Sequence, residues 1–135
     1  MSDSPKAEAV IMRSMLGRAR GLGSAKSGTG HWWAMRVTSL ALLPLTLWFV
    51  AAVITLAGKP RAEVAEWGAS PLVTTLLLAL IAATFHHMHL GLQTVIEDYM
   101  HSERTKLATL LAMRAIVVLL TLTAVVSVLK LAFAG

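Results

Sequence analysis

Residues 68–104 read GASPLVTTLLLALIAATFHHMHLGLQTVIEDYMHSER, and they join a long apolar run to a cluster of ionisable side chains. From Gly68 to Ile96 the run carries no ionisable group except histidine. About 20 helical residues cross a bilayer core of roughly 30 Å, so this run is long enough to span a membrane. Four histidines and three carboxylates lie within residues 85–104, inside the run or just past its end. Ionisable groups in such apolar surroundings require a chemical explanation.

Two more runs have the same character. Val37–Gly58 contains no charged side chain, and Leu107–Leu129 is interrupted only by Arg114. Each run must be helical, because hydrocarbon offers no hydrogen-bond partner for an open strand edge. The sequence therefore predicts an all-α fold with three transmembrane helices, near residues 33–58, 70–98 and 105–132.

The composition supports a membrane protein. Hydrophobic residues make up 56% of the 135 residues, charged residues only 14%, and the mean hydropathy is +0.70. A soluble fold needs more charge to cover its surface. The absence of cysteine excludes disulfides, thiolate metal sites and iron–sulfur clusters held by cysteine on this chain.

The basic residues act as a topology signal, and no nucleic-acid partner is expected from the net charge of +5. Six of them precede or open the first predicted helix: Lys6, Arg13, Arg18, Arg20, Lys26 and Arg36. The positive-inside rule then predicts a cytoplasmic N-terminus and a C-terminus on the outer side. In the bacterial inner membrane, where we expect this chain, that side is the periplasm. We expect residues 1–30 to form a cytoplasmic segment, with a flexible lead-in at GLGSAKSGTG (residues 21–30), and residues 31–135 to form the membrane domain in contact with lipid.

The position of His87 in its predicted helix is notable. With Tyr99 near the inner interface, His87 lies twelve residues deeper, about 18 Å, which is close to the middle of the bilayer. At about 100° per residue, Gly91, Thr94 and Asp98 are rotated from His87 by about 40°, −20° and 20°. These residues therefore share one stripe, whereas the neighbouring histidines turn away from it.

A histidine at this depth with a glycine one turn along has several interpretations. Neutral imidazole is a standard axial ligand for haem iron, and Gly91 would clear the next turn for a flat macrocycle. The first and third predicted spans contain no histidine, so a second ligand would come from another chain. Alternatively, the histidines donate to carbonyls of neighbouring helices and Gly91 permits close helix packing. A proton relay through His86, His87 and His89, or a purely structural scaffold, is a further alternative.

The cluster IEDYMH (residues 96–101) has two interpretations of its own. It is either an interfacial anchor at a helix end or a site for a lipid-soluble molecule with a polar head. A phenol donor and a carboxylate at the inner interface can hold and protonate a quinone carbonyl.

Two blocks of the chain are similar to a known family. The first block covers residues 31–49, HWWAMRVTSLALLPLTLWF, and resembles the first helix of that family, which begins with an Arg-x-[Thr/Ser] pattern. The second block covers residues 87–101, HMHLGLQTVIEDYMH. It resembles the signature of that family, in which a histidine is followed four residues later by a glycine and seven residues after that by an Asp-Tyr pair. Over roughly residues 20–132 the chain resembles the D subunit of succinate dehydrogenase, a hydrophobic membrane anchor of respiratory complex II.

The resemblance implies a role for each matching residue. His87 would be an axial ligand to haem b, with Gly91 beside it and the other ligand on a companion anchor subunit. Tyr99 would hydrogen-bond the ubiquinone head, and Asp98 would help to position the quinone or its protons. Arg36, opening the first helix near the inner interface, would serve a haem propionate or the quinone, or would simply extend its side chain to the interface.

The function implied by the resemblance is that of a membrane anchor in succinate:ubiquinone oxidoreductase. Succinate would be oxidised on a flavoprotein subunit, and electrons would pass through an iron–sulfur subunit to ubiquinone at the inner face. The chain has no dinucleotide-binding fingerprint and no cysteine, so it is not expected to hold the flavin or the clusters itself.

Overall fold

The computed structural model describes residues 27–133, and these residues are helical almost throughout. Four helices follow one another: α1 Ser27–Leu56, α2 Arg61–Ala69, α3 Pro71–Tyr99 and α4 Glu103–Ala132. The first, third and fourth are each long and apolar enough to cross a membrane. The structure thus confirms the predicted all-α fold with three membrane-spanning helices, within a few residues at most boundaries.

The start of α1 differs most from the prediction. The helix begins at Ser27, six residues before the predicted start at residue 33, so the last four residues of the expected lead-in are helical. Glycine costs about 1 kcal/mol relative to alanine in a helix interior, and a 30-residue helix tolerates Gly28 and Gly30 near its end. Residues 1–26, with most of the basic residues used to predict topology, lie outside the described residues.

The central element is α3. It packs against α1 on one side and α4 on the other, while α1 and α4 make little contact with each other. The buried apolar side chains form two narrow seams along these contacts: Ala52, Leu77, Leu90, Met113 and Val117. Most other apolar side chains of residues 27–133 are exposed, as expected for helices surrounded by lipid and partner helices.

A short helix, α2, was not predicted. Gly58 turns the chain after α1 with φ of 78°, a left-handed conformation that glycine adopts without steric cost. Lys59 Nζ then lies 3.2 Å from Glu63 Oε2 across one turn. The nine-residue helix is too short to be stable alone, so its stability must come from packing.

The packing of α2 involves two contacts with the membrane helices. The ring of Trp67 stacks on that of Trp48 in α1, with centroids 6.0 Å apart and an angle of 22° between the planes. Gly68 is buried against α4, where a Cβ atom would lie 2.5 Å from Leu131 Cγ. Together they hold α2 against the end of the bundle opposite to Tyr99.

Candidate functional site

His87 projects from α3 towards α1, where it meets a threonine. Its Nδ1 lies 3.0 Å from Thr38 Oγ1. The same hydroxyl lies 2.7 Å from the carbonyl oxygen of Ala34 and 3.0 Å from that of Met35, within its own helix. A hydroxyl has one proton to donate, and a carbonyl of its own helix takes that proton when the imidazole carries its proton on Nδ1. In that tautomer the oxygen of Thr38 accepts from His87.

This hydrogen bond determines what the other ring nitrogen can do. With the proton on Nδ1, the Nε2 atom presents an unshared electron pair. Within residues 27–133, Nε2 makes no hydrogen bond. Histidines that bind metals almost always donate their second ring N–H to a fixed acceptor, which orients the ring and makes it a stronger ligand. In His87 the group that would orient the ring in this way is a hydroxyl of α1 rather than a helix carbonyl.

Gly91 leaves open space one turn from His87. A Cβ atom built there would meet no atom within 4 Å. The glycine is thus not needed for α3 to pack against either α1 or α4 of this chain. The clearance lies on the His87 stripe, and no atom of the described residues enters it, so it has room for a flat group or a helix of another subunit.

The three neighbouring histidines point in different directions. His87 faces α1, whereas His89 faces α4 and has its Nδ1 3.3 Å from Met113 Sδ. His86 is exposed. Among the described residues no hydrogen bond connects one of these histidines to another. The arrangement does not favour a continuous proton relay through the three rings.

Because α1 starts earlier than predicted, it contains His31, which corrects the expectation that the first span lacks a histidine. His31 lies seven residues before Thr38, about 10.5 Å along the helix axis. Axial ligands of one iron bind it from opposite faces at the same level. His31 is therefore too far along the bundle to share an iron with His87, so the expectation that a second haem ligand would come from another chain is unchanged.

The polar side chains at the end of α3 differ in their contacts. Gln93 Nε2 donates to Glu97 Oε1 at 2.8 Å, and Lys106 Nζ lies 3.4 Å from the Glu97 carbonyl oxygen. Asp98 and Tyr99 are exposed, Tyr99 at 79%, and neither side chain is hydrogen-bonded to a residue in the 27–133 range. The carboxylate and phenol predicted for the quinone are thus the groups still available to a ligand or partner.

The position of Arg36 requires a correction. It was expected to open the first helix, but it lies nine residues inside α1 and only two residues, about 3 Å, from the level of Thr38. Its guanidinium lies 4.2 Å from the centroid of the Trp32 ring and lines a cavity of about 450 Å³. Arg36 is therefore close to His87 in depth, and about 15 Å deeper than Tyr99 along the bundle axis.

Sequence comparison adds the family to this geometry. Residues 11–124 match the profile described as succinate dehydrogenase/fumarate reductase transmembrane subunit. The chain belongs to this family. The match includes both α1 and α3, which carry Thr38 and His87, and it confirms the family resemblance seen in the sequence.

Individual relatives are similar over most of their length. The succinate dehydrogenase hydrophobic membrane anchor subunit of Rickettsia bellii is 32% identical over 119 residues, covering 86% of this chain and 93% of the relative. The subunits of the same name from Rickettsia conorii and Paracoccus denitrificans are each 31% identical, over 103 and 90 residues. These alignments cover 74% and 67% of this chain, and 82% and 70% of the relatives. With its three apolar helices, the chain is a multi-pass membrane protein.

Thr38 is the site residue that the sequence interpretation missed. It lies in the first family block, but its link to His87 depends on how α1 and α3 are aligned along the membrane normal. The sequence shows only that one predicted span contains a hydroxyl side chain and the next span contains a mid-membrane histidine.

Proposed function

We propose that this chain is the membrane anchor subunit of a succinate:ubiquinone oxidoreductase, and that it supplies one axial ligand to haem b and part of the ubiquinone site. Family membership and the names of the relatives support the anchor role. The observation that carries the haem assignment is the 3.0 Å contact between His87 Nδ1 and Thr38 Oγ1, which leaves Nε2 without a hydrogen-bond partner among the described residues. Haem b, when bound, supplies a one-electron carrier within the membrane.

Three residues of this chain would hold the haem. His87 would bind the iron through Nε2, with its ring orientation set by Thr38. Gly91 would leave the adjacent turn clear for the macrocycle. Arg36, at nearly the same depth as His87, would pair with a propionate carboxylate.

The quinone would bind at the end of α3. Tyr99 would donate its phenolic proton in a hydrogen bond to a carbonyl of the quinone head, and Asp98 would bind or pass a proton beside it. Both side chains are exposed at a helix end that is cytoplasmic in the proposed orientation. An iron–sulfur subunit would dock there and deliver electrons that a flavoprotein subunit takes from succinate.

The companion anchor subunit would contribute the second haem ligand. It would cover the outward face that carries Gly91, where this chain leaves open space. In this assembly, the chain alone catalyses no reaction.

The haem assignment can be tested with two adjacent variants, His87→Ala and His86→Ala. His87→Ala should lose haem or shift its midpoint potential, because one axial ligand is removed. His86→Ala is the matched control, since that side chain is exposed and off the stripe. The measurement is the reduced b-type absorption and redox titration of the purified complex. Unchanged haem content and potential in His87→Ala would reject the assignment, provided that succinate oxidation with a soluble acceptor shows an assembled complex.

A further inference from the structure

A groove between α3 and α4 has no role in the function proposed above. It has a volume of about 350 Å³, and all the surface that lines it is apolar. Met88 and Leu92 line it from α3. The residues that line it from α4 are Thr109, Ala112, Met113, Ile116, Val117 and Leu120. It lies on the α4 side of α3, away from the contact between His87 and Thr38.

The size of the groove indicates what it can hold. Its lining on α4 extends from Thr109 to Leu120, which is about 16.5 Å of helix. A groove of this length with an apolar lining can take a single extended hydrocarbon chain.

The groove lies in line with Tyr99. At 100° per residue, Leu92 is rotated by about 20° from Tyr99, and Met88 by about −20°. Leu92 is seven residues from Tyr99, about 10.5 Å along α3. The exposed phenol therefore stands directly above the inner end of the groove, on the same face of the helix.

We infer that this groove holds the isoprenoid tail of the quinone whose head binds at Tyr99; the inference rests on the proposed function. A molecule with its head at the phenol has an apolar channel on the same helix face, running towards the middle of the bilayer. A phospholipid acyl chain of the bilayer is the alternative occupant, and the labelling experiment below separates the two.

The expected energetic effect of the groove is modest. The quinone tail has apolar surroundings both in lipid and in the groove, so the hydrophobic effect contributes little to its binding in the groove. The groove acts by van der Waals contact and by directing the tail, which fixes the orientation of the head. Blocking it should therefore impair quinones with tails and spare quinones that consist of the head alone.

The test compares Ala112→Phe with Ala115→Phe in the complete complex in membranes. Ala112 lines the groove, so phenylalanine at this position fills it. Ala115 is exposed on the same helix and is absent from the groove lining, so it is a matched control. KM is measured for a head-only ubiquinone and for analogues with one, two and three isoprene units. Succinate oxidation with a soluble acceptor checks assembly.

We expect Ala112→Phe to raise KM by about threefold to tenfold for the tailed analogues and to leave the head-only value unchanged, because only packing contacts are lost. Equal changes for all analogues, no change for any, or the same pattern in Ala115→Phe would overturn the inference. The proposed function would still stand if the wild-type complex reduced the head-only quinone.

A second measurement does not depend on a variant. A three-isoprene quinone with a photoreactive group at the end of its tail should label Ile116 or Leu120, and excess natural quinone should abolish the label. Label confined to other residues, or label that excess phospholipid but not quinone removes, would show that the groove holds a lipid acyl chain.

Discussion

At the scale of single residues, the contact between Thr38 and His87 sets the chemistry of the imidazole. In the tautomer with the proton on Nδ1, the hydroxyl donates to its own helix and accepts from the imidazole, which orients the ring. That acceptor would increase the electron density on Nε2 and so would favour the ferric state of the proposed haem. Thr38 would then act on the haem through His87, as a positioning residue.

Thr38→Val should weaken haem retention by about tenfold and raise the midpoint potential of the haem that is still bound. The change keeps the shape of the side chain and removes the hydroxyl, which takes away the contact with His87 together with the donation to the α1 carbonyls. Thr38→Ser keeps the hydroxyl and is the control, with values close to wild type. Redox titration of the purified complex measures both effects; equal potentials in the valine and serine variants would show that the hydrogen bond has no influence on the iron.

Tyr99→Phe should reduce succinate–quinone turnover by roughly tenfold, because one hydrogen bond to the quinone is lost. Tyr99 makes no side-chain hydrogen bond within residues 27–133, so the change should leave the fold intact. Succinate oxidation with a soluble acceptor is the internal control and should not change. Wild-type quinone turnover in the variant would remove Tyr99 from the site.

At the scale of elements, α2 depends on a close approach to α4. Gly68 is buried, and the side chain of Leu131 fills the space in front of it. Nine residues are too few to form a stable helix alone, and this contact and the stack of Trp67 on Trp48 hold them in place. The linker between the first two spans is thereby a packed helix instead of a loose loop.

Gly68→Ala should destabilise this end of the bundle by about 1–3 kcal/mol, because a Cβ atom would overlap Leu131. Gly30→Ala is a matched control, since a Cβ atom there meets nothing within 4 Å. Adding Leu131→Ala to Gly68→Ala should recover part of the loss. The stabilities of the variants are ranked by the amount of intact complex that remains on native gels after graded heating. Equal stability of both glycine variants would contradict the packing argument.

At the scale of the whole molecule, the helices have two distinct ends. The start of α1 and the end of α3 meet at one end, where Gly28, His31, Gln93 and Glu97 line a cavity. The other end holds α2 and the last turn of α4. Asp98 and Tyr99 belong to the first end, so the orientation of the bundle determines which compartment the proposed quinone site faces.

The positive-inside rule predicts that the Tyr99 end is cytoplasmic. The chain contains no cysteine, so single cysteines can report this without a background. A membrane-impermeant thiol reagent should label Glu66→Cys in intact cells and Glu103→Cys only after the membrane is opened. Labelling of Glu103→Cys in intact cells would show that the orientation is the opposite one. Tyr99 would then lie on the other side of the membrane from a cytoplasmic iron–sulfur partner.

The sequence alone determined the number and type of the membrane helices. Three apolar runs are long enough to cross the bilayer, and a single apolar segment inside the bilayer satisfies its backbone hydrogen bonds as a helix. It also identified the stripe of His87, Gly91 and Asp98, since helical periodicity is a local property. It did not reveal α2, whose nine residues become helical only by packing against Trp48 and Leu131.

Only the tertiary structure decided how the helices are aligned with one another. The alignment of α1 with α3 brought Thr38 to His87, placed Arg36 near the depth of the histidine, and left His31 at a different level. The alignment of α3 with α4 produced the apolar groove below Tyr99. These relations depend on side chains that are far apart in sequence, and no local pattern records the translation of one helix along another.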